Sequence, residues 1–296
     1  MSEETLLISP DVVGNKTKPL EVEITRRMIM NYAAGIDDHN PWHFADDRTE
    51  GIVAAPMMAW ALTWQFSVQG ERLWGDNGTP KEIGPRGVHF TEEMEFSRPI
   101  VPGDKLTITG ETVDLRAHRA GTYIQTRYTG IDANGEHVFT QHTGGMLRDV
   151  RCSGDIEDYQ PRGIGSSVSD QPIRTLKIPI HAMAAHIYDG CADIHNPIHT
   201  SRAFALGVGL PDIILHGTAT LAYAIKDITN TEGKGDPRAV KSLYASFTSM
   251  VFMPSEVELQ VLGFEESDDT NSVYFQVIAA DGKKAVRDGC ITFKKT

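Results

Sequence analysis

Cysteine is scarce in this chain. Three occur in 296 residues, Cys152, Cys191 and Cys290, an odd number without paired spacing, which argues against a disulfide framework or a zinc cluster. Basic residues are short as well: 28 Lys and Arg face 40 Asp and Glu, a net charge of −12, the wrong sign for a nucleic-acid footprint. Any anionic ligand has to find a local basic patch. Long apolar runs are missing, none approaching the ~20 residues of a membrane span, and the opening MSEETLLISPDVV is acidic where a secretory signal needs a basic region. The expectation is a soluble, cytoplasmic protein with no membrane partner. Its 40% hydrophobic content is ordinary for a globular chain, and its length suggests about two domains.

What is present is a repeat. YAAGIDDHNPWHFADDRTEGIVAAPMMAWALTW from Tyr32 and IYDGCADIHNPIHTSRAFALGVGLPDIILHGTAT from Ile187 share one plan. Each places an acidic residue ahead of an Asn-Pro-x-His turn and then opens into an apolar helix. The Asn residues, Asn40 and Asn196, lie 156 positions apart, the turn prolines Pro102 and Pro254 lie 152 apart, and Gly135 and Gly282 lie 147 apart. Landmarks recurring in one order at nearly one offset indicate a duplicated domain. Central helices are expected from Met57 and near Thr218, apolar around most of their circumference and therefore buried. Another helix is expected from Glu23 to Gly35. Alternating segments such as GVHFTEEMEF and DKLTITGETVDLR, and SLYASFTSMVF and EVELQVLGFEE in the second half, read as strands.

The two motif segments resemble the MaoC-like, R-specific enoyl-CoA hydratase and dehydratase family, whose pattern is Asp, one residue, Asn-Pro, one residue and His, with His-Gly further on. Asp38-His39-Asn40-Pro41-Trp42-His43 fits its first part without a gap. In the second copy Asn196-Pro197-Ile198-His199 and His216-Gly217 fit, but Asp193 lies one residue early and Ile194 stands where the Asp is expected. The resemblance implies an α+β double hotdog, two antiparallel sheets each wrapped around a long central helix. The expected division is residues 1–150 for the first hotdog, 151–171 for a linker and 172–296 for the second. It further implies an acyl-CoA substrate, with coenzyme A entering only as part of the thioester, no redox or metal cofactor, and room for a homo-oligomer built through the sheets.

Hydrating an enoyl thioester needs a base for water, a proton for the α carbon and donors for the charge that grows on the thioester oxygen. An Asp/His pair supplies the first two. A glycine opening a helix supplies the third, because free N–H groups and the helix dipole favour negative charge there. His199 and Gly217 of the second half, with Asp193 or Asp38 as carboxylate, form the leading candidate site, since in double-hotdog relatives the pair usually belongs to the second half. Asp38 and His43 form a second one. In the first half Ala54-Ala55-Pro56 replaces His-Gly.

The same residues serve plainer purposes too. Asp38 and Asp193 are competent cap or turn residues, His216 is read as a packed residue, and Asn40 and Asn196 brace their turns. Trp42, Trp60, Trp64 and Trp74 either line an acyl pocket or pack the core. A hotdog thioesterase, directing water at the carbonyl instead, and a non-catalytic acyl-CoA-binding double hotdog or partner subunit are the rival readings.

Overall fold

Ten strands form one continuous antiparallel sheet in the computed structural model, which describes residues 5–68, 81–163, 168–169 and 171–295. The first half contributes β2 (Leu20–Glu23), β3 (Gly87–Phe96), β4 (Lys105–His118), β5 (Gly121–Ile131) and β6 (His137–Arg148). The second contributes β8 (Arg174–Ile180), β9 (Val240–Phe247), β10 (Ser255–Glu266), β11 (Thr270–Ile278) and β12 (Lys284–Lys294). Their order is β2-β4-β5-β6-β3-β9-β12-β11-β10-β8, so each half has the same internal order and the halves join edge to edge where β3 pairs with β9, Thr91 opposite Ser246. A short parallel pair, β1 (Leu6–Ile8) with β7 (Val150–Cys152), lies apart from this sheet.

Seven α-helices accompany the sheet among the described residues. They are α1 (Arg26–Gly35), α2 (Pro41–Phe44), α3 (Met58–Val68), α4 (Ala184–Ala192), α5 (Pro197–Thr200), α6 (Arg202–Gly207) and α7 (Gly217–Thr231). Among them α3 and α7 are the central helices, close to their expected starts. In α3 seven residues are buried, including Met58, Trp60, Leu62 and Phe66, and in α7 the run Thr218–Ile225 is buried throughout. Burial of this kind, at about 25 cal/mol per Å² of apolar surface, holds a polar-ended apolar helix inside a curled sheet. One core cluster runs through both halves, from Ile29 and Met57 to Ile225 and Phe275. The chain has the double-hotdog architecture.

The structure departs locally from the sequence reading. The first helix starts at Arg26, because Glu23 belongs to edge strand β2 and Thr25 caps the helix by accepting from the Met28 amide. The edge strands β2 and β8 lie outside the segments read as strands, although both alternate, Leu176, Ile178 and Ile180 of β8 facing the more buried side. The strand expected over SLYASFTSMVF ends at Phe247. The segment between the halves is not a free tether either: Ala117 N–H donates to Glu157 O and Tyr159 N–H to Ala117 O, and the Tyr159 ring packs 4.6 Å from Tyr123. Trp74 lies outside the described residues.

Candidate active site

The two Asn-Pro turns are built alike. In each, proline opens a one-turn helix, α2 or α5, and the Asn side chain caps it, Asn40 Oδ1 accepting from Trp42 N–H at 3.0 Å and Asn196 Oδ1 from Ile198 N–H at 3.3 Å. Each histidine then turns its Nδ1 onto a backbone carbonyl, His43 to Val53 and His199 to Ile214, both at 2.8 Å. The helices before the turns also end alike. Asp37 and Asp193 take left-handed backbone, φ 53° and 54°, and the next amides reach back five residues, Asp38 N–H to Ala33 O and Ile194 N–H to Asp189 O.

This register makes Asp193 the counterpart of Asp37 and Ile194 the counterpart of Asp38. The consequence decides which half carries a pair. Asp38 is buried, with Oδ2 3.2 Å from His43 Nε2, whereas in the second half the buried side chain is Ile194 and Asp193 is exposed, its carboxylate and carbonyl accepting from Gln65 Nε2–H. Among the described residues no carboxylate lies within 4 Å of His199. The leading expectation, His199 and Gly217 with Asp193 or Asp38 as the carboxylate, is therefore not assembled. Asp38 and His43 are brought together.

The carboxylate is held from both halves. Asp38 Oδ1 accepts from Asn40 N–H at 3.0 Å and from Asn230 Nδ2–H, on α7, at 3.1 Å. Asn40 Nδ2–H in turn donates to Asn230 Oδ1 at 2.6 Å and to Gly235 O at 3.0 Å. Burial acts to raise the Asp38 pKa, but the hydrogen bonds from His43, Asn230 and Asn40 outweigh it and hold the carboxyl below its usual range. His43 Nδ1 faces a carbonyl, which only accepts, and so carries a proton, while Nε2 is the atom turned towards Asp38 Oδ2.

Asp38 and His43 line a small cavity with Ala55, Pro56 and Met57 on one side and the α7 residues Ala222, Ile225, Lys226 and Thr229 on another. Its space of about 10 Å³ is near the least that a water molecule needs. Outside it lies an open depression of about 650 Å³ that shares Lys226 and is bordered by Trp42, Arg48 and Asn230. The Trp42 ring has the Arg48 and Arg238 guanidinium groups over it at 3.8 and 3.7 Å, so this tryptophan forms the rim.

Donors for a thioester oxygen also differ from expectation. Gly217 opens α7, 12 residues before Thr229, a separation of about 18 Å along a helix, so it stands at the far end of α7 from Asp38. A Cβ there would lie 3.1 Å from the Phe247 ring, which gives the glycine a packing role. In the first half Ala55 and Met57 line the cavity, and their amides have no hydrogen-bond partner among the described residues. Ala54 N–H donates to Ile100 O as Leu215 N–H does to Val251 O, which aligns Ala55-Pro56 with His216-Gly217. In the second half His216 stacks on His199 at 3.7 Å, filling the space that Ala55 leaves open beside His43. Burial pushes His199 down to about 4 and His216, with His199 as its neighbour, to about 2, so both are neutral at pH 7.

Asn230, Thr229 and Lys226 escaped the sequence reading. They sit on α7, beyond the second motif and far from the first, and only the packing of α7 against the first-half turn brings them in.

The comparisons with known proteins agree with this architecture. Residues 11–141 match the FAS1-like, dehydratase domain region and residues 166–282 the MaoC like domain. The chain is 37% identical over 133 residues to the peroxisomal enoyl-CoA hydratase 2 of Arabidopsis thaliana, a match covering 45% of this chain and 42% of that protein. It is 24% identical to 3-hydroxyacyl-thioester dehydratase Y of Mycobacterium tuberculosis over 97% of this chain and 99% of the other. In fold it is similar to a MaoC-like dehydratase from Phytophthora capsici, with a TM-score of 0.79, 21% identity, and coverage of 96% of this chain and 97% of that one. In one double-hotdog frame, then, the first half matches a FAS1-like dehydratase region and the second half a MaoC like domain.

Proposed function

We propose that the protein is a hydro-lyase that reversibly adds water to a trans-2-enoyl-CoA, giving the 3-hydroxyacyl-CoA, with Asp38 and His43 as the acid/base pair. The observation that carries this reading is the buried Asp38–His43 contact in a water-sized cavity lined also by Ala55 and Met57, whose amides have no partner among the described residues. Water bound at the pair loses a proton to Asp38 Oδ2 as its oxygen bonds to C3. The π electrons of the double bond move towards the thioester oxygen, where the Ala55 and Met57 amides meet the charge. His43 Nε2–H then protonates C2, and the proton held by Asp38 passes to His43 across their 3.2 Å contact. One water is consumed and the pair is restored.

This chemistry calls for no redox or metal cofactor, and coenzyme A enters as part of the substrate. No helix among the described residues is long and apolar enough to cross a membrane. The motif defects of the two halves suit a non-catalytic acyl-CoA binder, but the first half combines an unbroken Asp/His pair with amides that have no partner among the described residues. The test is incubation with a panel of enoyl-CoA esters while following loss of the conjugated thioester absorbance. Hydration of at least one ester supports the reading; release of free thiol without hydration supports a thioesterase, and binding without turnover supports a non-catalytic role.

A further inference from the structure

We propose that Thr229, on the central helix of the second half, is a third ligand for the reacting oxygen at the Asp38/His43 pair, binding the attacking water or, in reverse, the 3-hydroxyl of the hydroxyacyl thioester. The inference rests on the hydratase reading and deepens it, because it makes the active site a joint product of both halves. Thr229 is 3% exposed, and its hydroxyl has no hydrogen-bond partner among the described residues. A threonine inside a helix ordinarily bonds the carbonyl one turn back, as Thr220 does with His216 O at 3.3 Å. Thr229 does not, and a buried hydroxyl without a partner costs folding free energy that a ligand would offset.

Its position gives that hydroxyl a purpose. Ala222, Ile225, Lys226 and Thr229 follow helical spacing along one face of α7, and this face closes the cavity that contains Asp38 and His43. Ala222 and Ile225 offer only carbon, and Lys226 Nζ donates to Ile36 O and Asp37 O at 3.3 and 3.2 Å. Thr229 is therefore the uncommitted polar group on that wall. A hydroxyl is suited to a water that donates to Asp38 and then becomes an alcohol, since it can donate or accept as the oxygen changes state. Its neighbour Asn230 fixes the carboxylate, so adjacent residues of one helix would set both the base and the oxygen that it activates.

The test compares Thr229→Val, which keeps the branched shape and removes the hydroxyl, with Thr229→Ser, which keeps the hydroxyl. Hydration kcat/KM, the inhibition constant of a saturated acyl-CoA lacking the 3-oxygen, and the melting temperature are measured for each. Loss of one hydrogen bond predicts a drop of about 10-fold in kcat/KM for Thr229→Val, an unchanged inhibition constant, and a melting temperature no lower than that of the native chain. Thr229→Ser should stay within about threefold of native activity. Native turnover by Thr229→Val overturns the proposal, as does loss of activity in step with lowered melting temperature and weaker saturated acyl-CoA binding. If the native protein hydrates no enoyl-CoA in the panel, the functional reading itself fails and this role falls with it.

Discussion

Gly35 and Cys191 face each other where the two halves meet: a Cβ built on Gly35 would lie 2.7 Å from Cys191 Cβ. The two positions are 156 residues apart, the offset that also separates Tyr32 from Tyr188, whose hydroxyls touch at 3.3 Å. Residues equivalent in the repeat that contact one another must straddle the axis relating the copies. Helices α1 and α4 thus cross on a pseudo-twofold axis, and at the Gly35–Cys191 crossing only one of the two positions has room for a side chain. Cys191 is half-buried and unpaired with another cysteine, and it owes its place to packing against Gly35.

Gly35→Ala should destabilise the fold by about 1–3 kcal/mol through overpacking. Adding Cys191→Gly should recover most of that loss, because the pair is in direct contact and its effects are not additive. Thermal melts of both single variants and the double variant measure the coupling; additive losses would mean that the crossing relaxes by some other movement.

Asp38→Asn should lower hydration kcat by at least ~100-fold, the lower end of what a positioned acid/base group contributes. Asp193→Asn should remain near native, since that carboxylate is exposed and bonded to Gln65. Steady-state rates on one enoyl-CoA decide the matter. A loss confined to Asp193 would move the site to the second half, and near-native turnover by both variants would remove the Asp/His mechanism.

Asn230→Ala takes away a donor that helps to hold the Asp38 pKa down. The base works as the carboxylate, above its pKa, so the acid limb of kcat/KM should move to higher pH, with a loss of about 10-fold at neutral pH from a missing bond to a charged group. An unshifted acid limb would confine Asn230 to holding the turn.

His199 contributes to the pH dependence of stability. Its folded pKa, near 4, lies below the ordinary 6.5 because burial disfavours the charged form. Between those values the unfolded chain binds more protons, so this contribution is complete above about pH 6.5 and is lost as pH falls towards 4. His216 acts with the same sign and extends the loss towards about 2. Melting temperatures recorded from pH 7 to 5 should fall less steeply in His199→Asn than in the native chain, with hydration at pH 7 little changed. An equal slope would mean that His199 stays neutral in both states.

Much of the architecture was legible from local pattern. The repeated Asn-Pro-x-His turns, the apolar runs of α3 and α7 and the alternating strands are encoded within short segments, where proline geometry, caps and side-chain periodicity act over a few residues. The one-residue displacement of Asp193, too, was visible in the sequence. Its meaning was not: the outward turn of Asp193 and the burial of Ile194 follow from the left-handed ends of α1 and α4, which set which side chain enters the core. Nor could the sequence reveal that Gly217 stands at the far end of its helix from the pair, that Ala55 leaves open the space His216 fills, or that Asn230 and Thr229 approach a turn about 190 residues away. Those relationships arise when one half packs its central helix against the other half's turn. Contacts across so long a separation leave no periodic mark on either segment, so the sequence by itself determined the hotdog units and the candidate groups, and only the tertiary structure decided which of them meet.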